Sequence, residues 1–110
     1  MRTRVAAALA SALALAPFAS PAVAGDAANG RVLARACSVC HGKLGLASDP
    51  EVPNLAGQSA FYVEKALDDY RSGAREDRRM TLMAQALTDE AIEDLAAWYE
   101  SIEVSAAAPE

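Results

Sequence analysis

Cys37-Ser38-Val39-Cys40-His41 brings both cysteines and the only histidine of the chain into one short run. No other stretch restricts the fold as strongly, because this run decides what staples the protein together. A redox dithiol of the thioredoxin kind has the same cysteine spacing but needs a strand-to-helix context, and no strand signal precedes Cys37. Zinc needs four protein ligands in a structural site and usually three plus a water in a catalytic one, and no fourth ligand lies close to this run. The remaining chemistry is covalent haem attachment, in which two thiols add across vinyl groups on the porphyrin edge and the following imidazole reaches the iron from one face. The pattern predicts one covalently bound haem c, with Cys37 and Cys40 as attachment thiols and His41 as an axial iron ligand.

The segment before this run agrees with that chemistry. Arg2 and Arg4 form a positive start, Val5 to Ala16 is apolar, Pro17 breaks the run, and Ala22-Val23-Ala24 offers small residues for cleavage. This is the layout of a secretory signal peptide. The run is shorter than the roughly 20 apolar residues that a spanning helix needs. Residues 1–24 are therefore expected to be a cleaved signal, with residues 25–104 a single domain, 105–110 a flexible tail, and no stable membrane insertion after cleavage. The expected location is periplasmic, where bacterial c-type haem attachment is completed. An exported chain with two cysteines has a disulfide as its other staple.

Composition bounds the rest. Ten Lys+Arg stand against 15 Asp+Glu, a net charge of -5, so the chain lacks the basic face of a nucleic-acid binder. Apolar residues make up 53% but aromatics only 5%, and the excess is mostly alanine, which builds a thin core. A domain this small buries only about 60% of its unfolded surface and usually needs a staple. A haem supplies that missing apolar bulk. The same shortness excludes a large multi-step enzyme with a deep substrate pocket.

The patterning is all-α. Ala27 to about Cys37 reads as a first helix with Asp26 as N-cap, and Gly30 inside it signals close packing. Residues 42–57 carry turn formers without a regular period and are expected to wrap one edge of the haem. Ser59 to Arg71 reads as a second helix, with Phe61, Tyr62, Ala66, Leu67 and Tyr70 as its apolar stripe and Gly73 just past its end. Arg71 to Arg79 is a charged, irregular segment. Thr88 caps the last helix, with Asp89 and Glu90 favouring its N-terminus, and Ile92, Leu95, Ala96, Tyr99 and Ile102 recur at helical spacing.

A six-coordinate electron-transfer haem needs a second axial ligand, and methionine is the usual partner of histidine. Beyond the signal the chain has two methionines, Met80 and Met83. Either has room to approach from the face opposite His41, and spacing alone does not separate them. The other is core filling.

With these residues in place, the chain resembles the bacterial class I cytochromes c, and most closely the small domains of the c-four type. The likeness runs from about Gly25 to Ile102. It rests on Gly25-Asp26-Ala27 with Gly30, on Cys37 to Gly42, and on Pro53-Asn54-Leu55-Ala56-Gly57-Gln58. Tyr70-Arg71-Ser72-Gly73, Leu87-Thr88-Asp89-Glu90 and Leu95-Ala96-Ala97-Trp98-Tyr99 complete it. The resemblance implies a small cytochrome c fold of three to four helices around one haem. It implies Met80 rather than Met83 as the second axial ligand, because the family's methionine lies seven residues before the Leu that Leu87 matches. It also implies that the Pro53 carbonyl accepts the proton of His41 Nδ1, and that Gly30 meets an aromatic of Trp98-Tyr99 where the first and last helices cross. The c-four proteins carry two haem domains, whereas this chain has one haem motif.

These readings imply a periplasmic one-electron carrier between a donor and an acceptor redox protein, with no acid, base or nucleophile at work. The alternative is the haem c electron-accepting subunit of a periplasmic oxidoreductase such as a sulfide dehydrogenase. A gas sensor would require an open iron position, which methionine ligation opposes. Arg71, Arg75, Arg78 and Arg79 are either a docking patch or a solvated segment with one arginine on a haem propionate.

Overall fold

The computed structural model describes residues 24–110. The signal expected over 1–24 lies outside the described residues except for Ala24. The described residues form four helices: α1 over Ala27–His41, α2 over Ala60–Ser72, α3 over Met80–Gln85 and α4 over Asp89–Glu100. Among the described residues there is no strand.

Local capping sets most of the helix starts. The Asp26 carboxylate accepts from the amides of Ala28 and Asn29, at 2.8 and 3.1 Å. Ser59 accepts from Tyr62 N–H at 3.3 Å and Thr88 from Ala91 N–H at 3.2 Å. Each side-chain oxygen satisfies an amide that has no partner within its helix.

The first helix does not stop near Cys37 but continues to His41. Nothing between Cys37 and His41 breaks a helix, and Gly42 is the first residue able to end one. It adopts φ 84°, where its N–H donates to Ser38 C=O at 3.0 Å. The extra turn puts Gly30, Ala34, Cys37 and His41 on one stripe of α1, at spacings that face the same way along a helix.

On α2 the expected stripe is turned. Val63 is the buried residue, 5% exposed, while Phe61 and Tyr62 stand 77% and 49% exposed. Val63 and Leu67, four apart, meet the core, and the two aromatics fall to the side of that line. The helix α3, for which no expectation was made, begins at Met80, directly after the charged segment over Arg71 to Arg79. Asp77 makes it possible. Its carboxylate accepts from the amides of Arg79 and Met80, at 2.8 and 2.9 Å, while its own N–H donates to Thr81 Oγ1 at 3.1 Å. This reciprocal pairing holds the turn that leads into α3, whose own N-cap, Arg79, has no side-chain cap bond. The Met80 and Arg79 amides hold the Asp77 carboxyl below the usual carboxylate range. Asp77→Ala is expected to fray the first turn of α3, read as faster hydrogen exchange at Arg79 and Met80 with α1 and α4 unchanged. Unaltered exchange at those two amides would show that the cap is not what holds the turn.

The core lies between α1, α2 and α4 and consists of Ala34, Val63, Leu95, Ala96 and Tyr99. Leu95 is its one large, fully buried side chain among the described residues. α1 crosses α4 at Gly30, where a Cβ would come 1.9 Å from the Asp94 carbonyl oxygen and 2.9 Å from Trp98 Cβ. The expected glycine–aromatic crossing is therefore present, and Trp98 is the aromatic. The Asp94 side chain reinforces it, accepting from Asp26 N–H and Asn29 Nδ2, both at 2.6 Å. These donors, the Asn29 amide foremost, hold the Asp94 carboxyl below its ordinary value.

Candidate functional site

His41 closes α1 and is the one buried polar side chain among the described residues, 6% exposed. Its Nδ1 lies 2.8 Å from the Pro53 carbonyl oxygen. A carbonyl can only accept, so Nδ1 carries the proton and the lone pair of the neutral ring resides on Nε2. Such a bond fixes the ring's orientation and makes the imidazole a stronger donor to a metal.

The loop after α1 is folded to bring that carbonyl into place. Gly45 is its pivot, with φ 74°. Its carbonyl accepts from Leu55 N–H at 2.8 Å and Ala56 N–H at 3.1 Å. A Cβ there would come 2.6 Å from Ala56 N and 3.1 Å from Tyr99 Cε1, so both the conformation and the space call for glycine. Asn54 Oδ1 accepts from Ala47 N–H at 2.8 Å, and Gly57 N–H donates to the Tyr99 carbonyl at 2.9 Å. Pro53 therefore sits in a closed loop pinned to α4, and its carbonyl reaches back to the end of α1.

Cys37 is half-buried and Cys40 exposed, and both are free thiols. Burial pushes the Cys37 thiol up, with the Tyr99 hydroxyl acting against that shift. Between the two cysteines, Val39 stands 85% exposed. Among the described residues no group of three or more His, Cys, Asp or Glu side chains could hold a metal ion. The donor set therefore does not fit zinc held by the protein alone.

It does fit a haem, and the helix arrangement supplies the independent reason. α1 packs on α4, and α2 packs on α4 and α3, but no packing joins α1 to α3. The helix that carries Cys37, Cys40 and His41 thus has α4 as its one helical partner among the described residues, while α3 begins with the half-buried Met80. Large apolar side chains stand exposed on the loop, α2 and α3: Leu46 at 57%, Phe61 at 77% and Leu82 at 71%. A flat, apolar group tethered to α1 would give such surface something to bury against. Met83 lies on the same short helix as Met80 and is 42% exposed.

The four arginines of residues 71–79 do not act alike. Arg71 pairs with Asp68 and Asp89 and donates to the Leu87 carbonyl at 3.1 Å, which ties the end of α2 to the start of α4. The Arg75 guanidinium lies 4.7 Å above the Tyr70 ring centroid, a cation–π contact. Arg78 and Arg79 are exposed. The sequence reading missed Asp77, Asp94 and the loop contacts of Tyr99. The Asp77–Thr81 spacing was the one local signal available, and it was hidden by the charges around it.

The comparisons with known proteins agree with this geometry. A protein-family model described as Cytochrome c matches residues 27–103. Cytochrome c-554(548) from Halomonas halodenitrificans is 48% identical over 83 residues, covering 73% of this chain and 100% of the relative. Cytochrome c4 from Pseudomonas aeruginosa is 39% identical over 82 residues, 74% of this chain but 41% of that protein. The cytochrome subunit of sulfide dehydrogenase from Chlorobaculum tepidum is 33% identical over 87 residues, 78% of each chain. Among solved structures, reduced recombinant cytochrome c4 from Pseudomonas stutzeri superposes with a TM-score of 0.70 at 36% identity, covering 74% of this chain and 48% of that one. The chain thus spans the whole of one relative and less than half of the cytochrome c4 chains.

Proposed function

The chain belongs to the cytochrome c family, and from that premise we propose that it is a periplasmic carrier of single electrons between a donor and an acceptor redox protein. It is an electron-transfer protein rather than a catalyst, and it carries one covalently bound haem c. When bound, the haem supplies an iron that accepts and returns one electron. Every other task falls to the chain's own residues.

Cys37 and Cys40 would hold the porphyrin through thioether bonds, and His41 Nε2 and the Met80 sulfur would ligate its iron. The observation that carries this reading is the bond from His41 Nδ1 to the Pro53 carbonyl at 2.8 Å. It leaves Nε2 as the free donor and fixes the ring's orientation, so little reorganisation would accompany each electron. The choice of Met80 rests on its register before Leu87, which the resemblance to class I cytochromes c supplies. A thioether donates weakly to ferric iron and so favours the ferrous form. Residues 25–104 form the electron-transfer domain, 105–110 a tail, and 1–24 a signal removed on export. No helix of the described residues is long and apolar enough to cross a membrane.

Spectra of the exported, matured protein in both oxidation states test the assignment, with Met80→Ala and Met83→Ala alongside. The expected result is a c-type spectrum with a methionine-to-iron charge-transfer band that only Met80→Ala abolishes. Loss only in Met83→Ala would move the ligand. A wild type without that band that binds carbon monoxide readily would sink the carrier reading.

A second reading, the haem subunit of a periplasmic oxidoreductase such as a sulfide dehydrogenase, is supported by the exposed Val39, Phe61 and Leu82 and by the relative so named. A stable complex recovered from the native periplasm would favour it, and a monomer of the mature chain's mass would favour the free carrier.

A further inference from the structure

Tyr99 is only 2% exposed, and its hydroxyl is a buried polar atom with no hydrogen-bond partner. The rest of the residue is fully used. Its carbonyl accepts from Gly57 N–H at 2.9 Å, its Cε1 lies against Gly45, and its ring belongs to the core with Ala34 and Leu95. Phenylalanine would do all of that without burying an unsatisfied donor, which is costly and uncommon in folded proteins. Cys37 packs against the buried cluster that contains the Tyr99 ring, and the hydroxyl forms no hydrogen bond there. Cys37 is the residue beside that cluster whose chemistry changes when the chain takes up its haem.

We propose that Tyr99 is a positioning residue for the haem: its hydroxyl donates to the Cys37 sulfur once that sulfur carries the porphyrin, and so biases the iron toward the ferrous state. The inference rests on Cys37 being an attachment residue, as proposed above. A thioether sulfur keeps lone pairs and is a weak acceptor. In a buried site of low dielectric even a weak bond of this kind is felt. It points the positive end of the O–H dipole at the porphyrin edge and draws electron density from it. Both effects disfavour the additional positive charge of the ferric state. Because the same residue closes the Gly45–Gly57 loop that presents Pro53, it links the Cys37 attachment to the support of His41.

The test uses the haem-loaded protein and its Tyr99→Phe variant, equilibrated in the same redox buffer. The expected result is a roughly threefold fall in the ferrous-to-ferric ratio in the variant, about 30 mV at 59 mV per tenfold for one electron. The methionine-to-iron band should be retained, which separates this shift from loss of an axial ligand. A proton spectrum of the ferrous wild type should also show a slowly exchanging Tyr99 hydroxyl proton close to the Cys37 β-protons. That second measurement decides the matter even if the variant fails to mature. An unchanged ratio, or a hydroxyl proton exchanging freely with water, would overturn the proposal. Mass spectrometry of the Cys37 peptide separates the two failures. Haem on Cys37 with an unchanged ratio removes only the role of Tyr99, whereas no haem on Cys37 removes the attachment reading as well.

Discussion

Cys37→Ala/Cys40→Ala is expected to leave a chain without covalent haem that no longer unfolds in a single cooperative transition. The described core has one large, fully buried side chain, Leu95, accompanied by alanines, Val63 and Tyr99. Domains of this size seldom draw more than about 3–5 kcal/mol from a single core, even with larger side chains than these. Meanwhile Leu44, Leu46, Phe61, Leu82 and Val104 are each more than half exposed. Side chains of that size each contribute about 1.5–3 kcal/mol when fully buried, so what covers them decides whether the fold persists. Calorimetry of the doubly substituted chain, beside a haem-stained denaturing gel, checks both parts. A sharp melt in the absence of haem would show that the helices alone suffice and that the haem is a passenger in the fold.

The second large effect concerns Gly30. Gly30→Ala in the haem-loaded protein sets two terms against each other. Alanine in a helix interior is favoured over glycine by about 1 kcal/mol. The added methyl, however, would lie 1.9 Å from the Asp94 backbone carbonyl oxygen. Backbone cannot rotate away as a side-chain tip can, so α1 and α4 must separate. Overpacking of this kind typically costs about 1–3 kcal/mol, and here the clash is with the main chain, so the clash wins. The separation would also strain the contacts of Asp94 with Asp26 and Asn29. The melting temperature should fall by roughly 4–8 °C for each kcal/mol lost, while the visible spectrum, set at the other end of α1, keeps its form. An equal or higher melting temperature would show that the crossing can relax.

Much of the site was legible without coordinates. The attachment run identified the cofactor by its chemistry. The resemblance to class I cytochromes c supplied the Pro53 carbonyl, which the structure places 2.8 Å from His41 Nδ1. The choice between Met80 and Met83 came from the resemblance as well, because both lie on α3 one turn apart. The orphan hydroxyl of Tyr99 had no signature at all: in the sequence it is one more apolar position on α4. Only the approach of Cys37 from α1 makes it chemically distinctive.

The sequence by itself determined the helix starts at Asp26, Ser59 and Thr88, since each cap is an interaction between residues at most three apart and needs no knowledge of the rest of the molecule. It determined the attachment run for the same reason, as Cys37, Cys40 and His41 lie within a single helix. The tertiary structure decided which side of α2 is buried. Phe61 and Tyr62 are larger than their neighbour, yet Val63 is the residue that joins the buried cluster with Leu95, Ala96 and Tyr99 of α4. It also decided that Asp94 brackets the start of α1, and that Arg71 joins α2 to α4 instead of standing free for a partner. Each of these depends on a residue far away in the chain, and periodicity shows that a helix has an apolar face without showing what that face will meet.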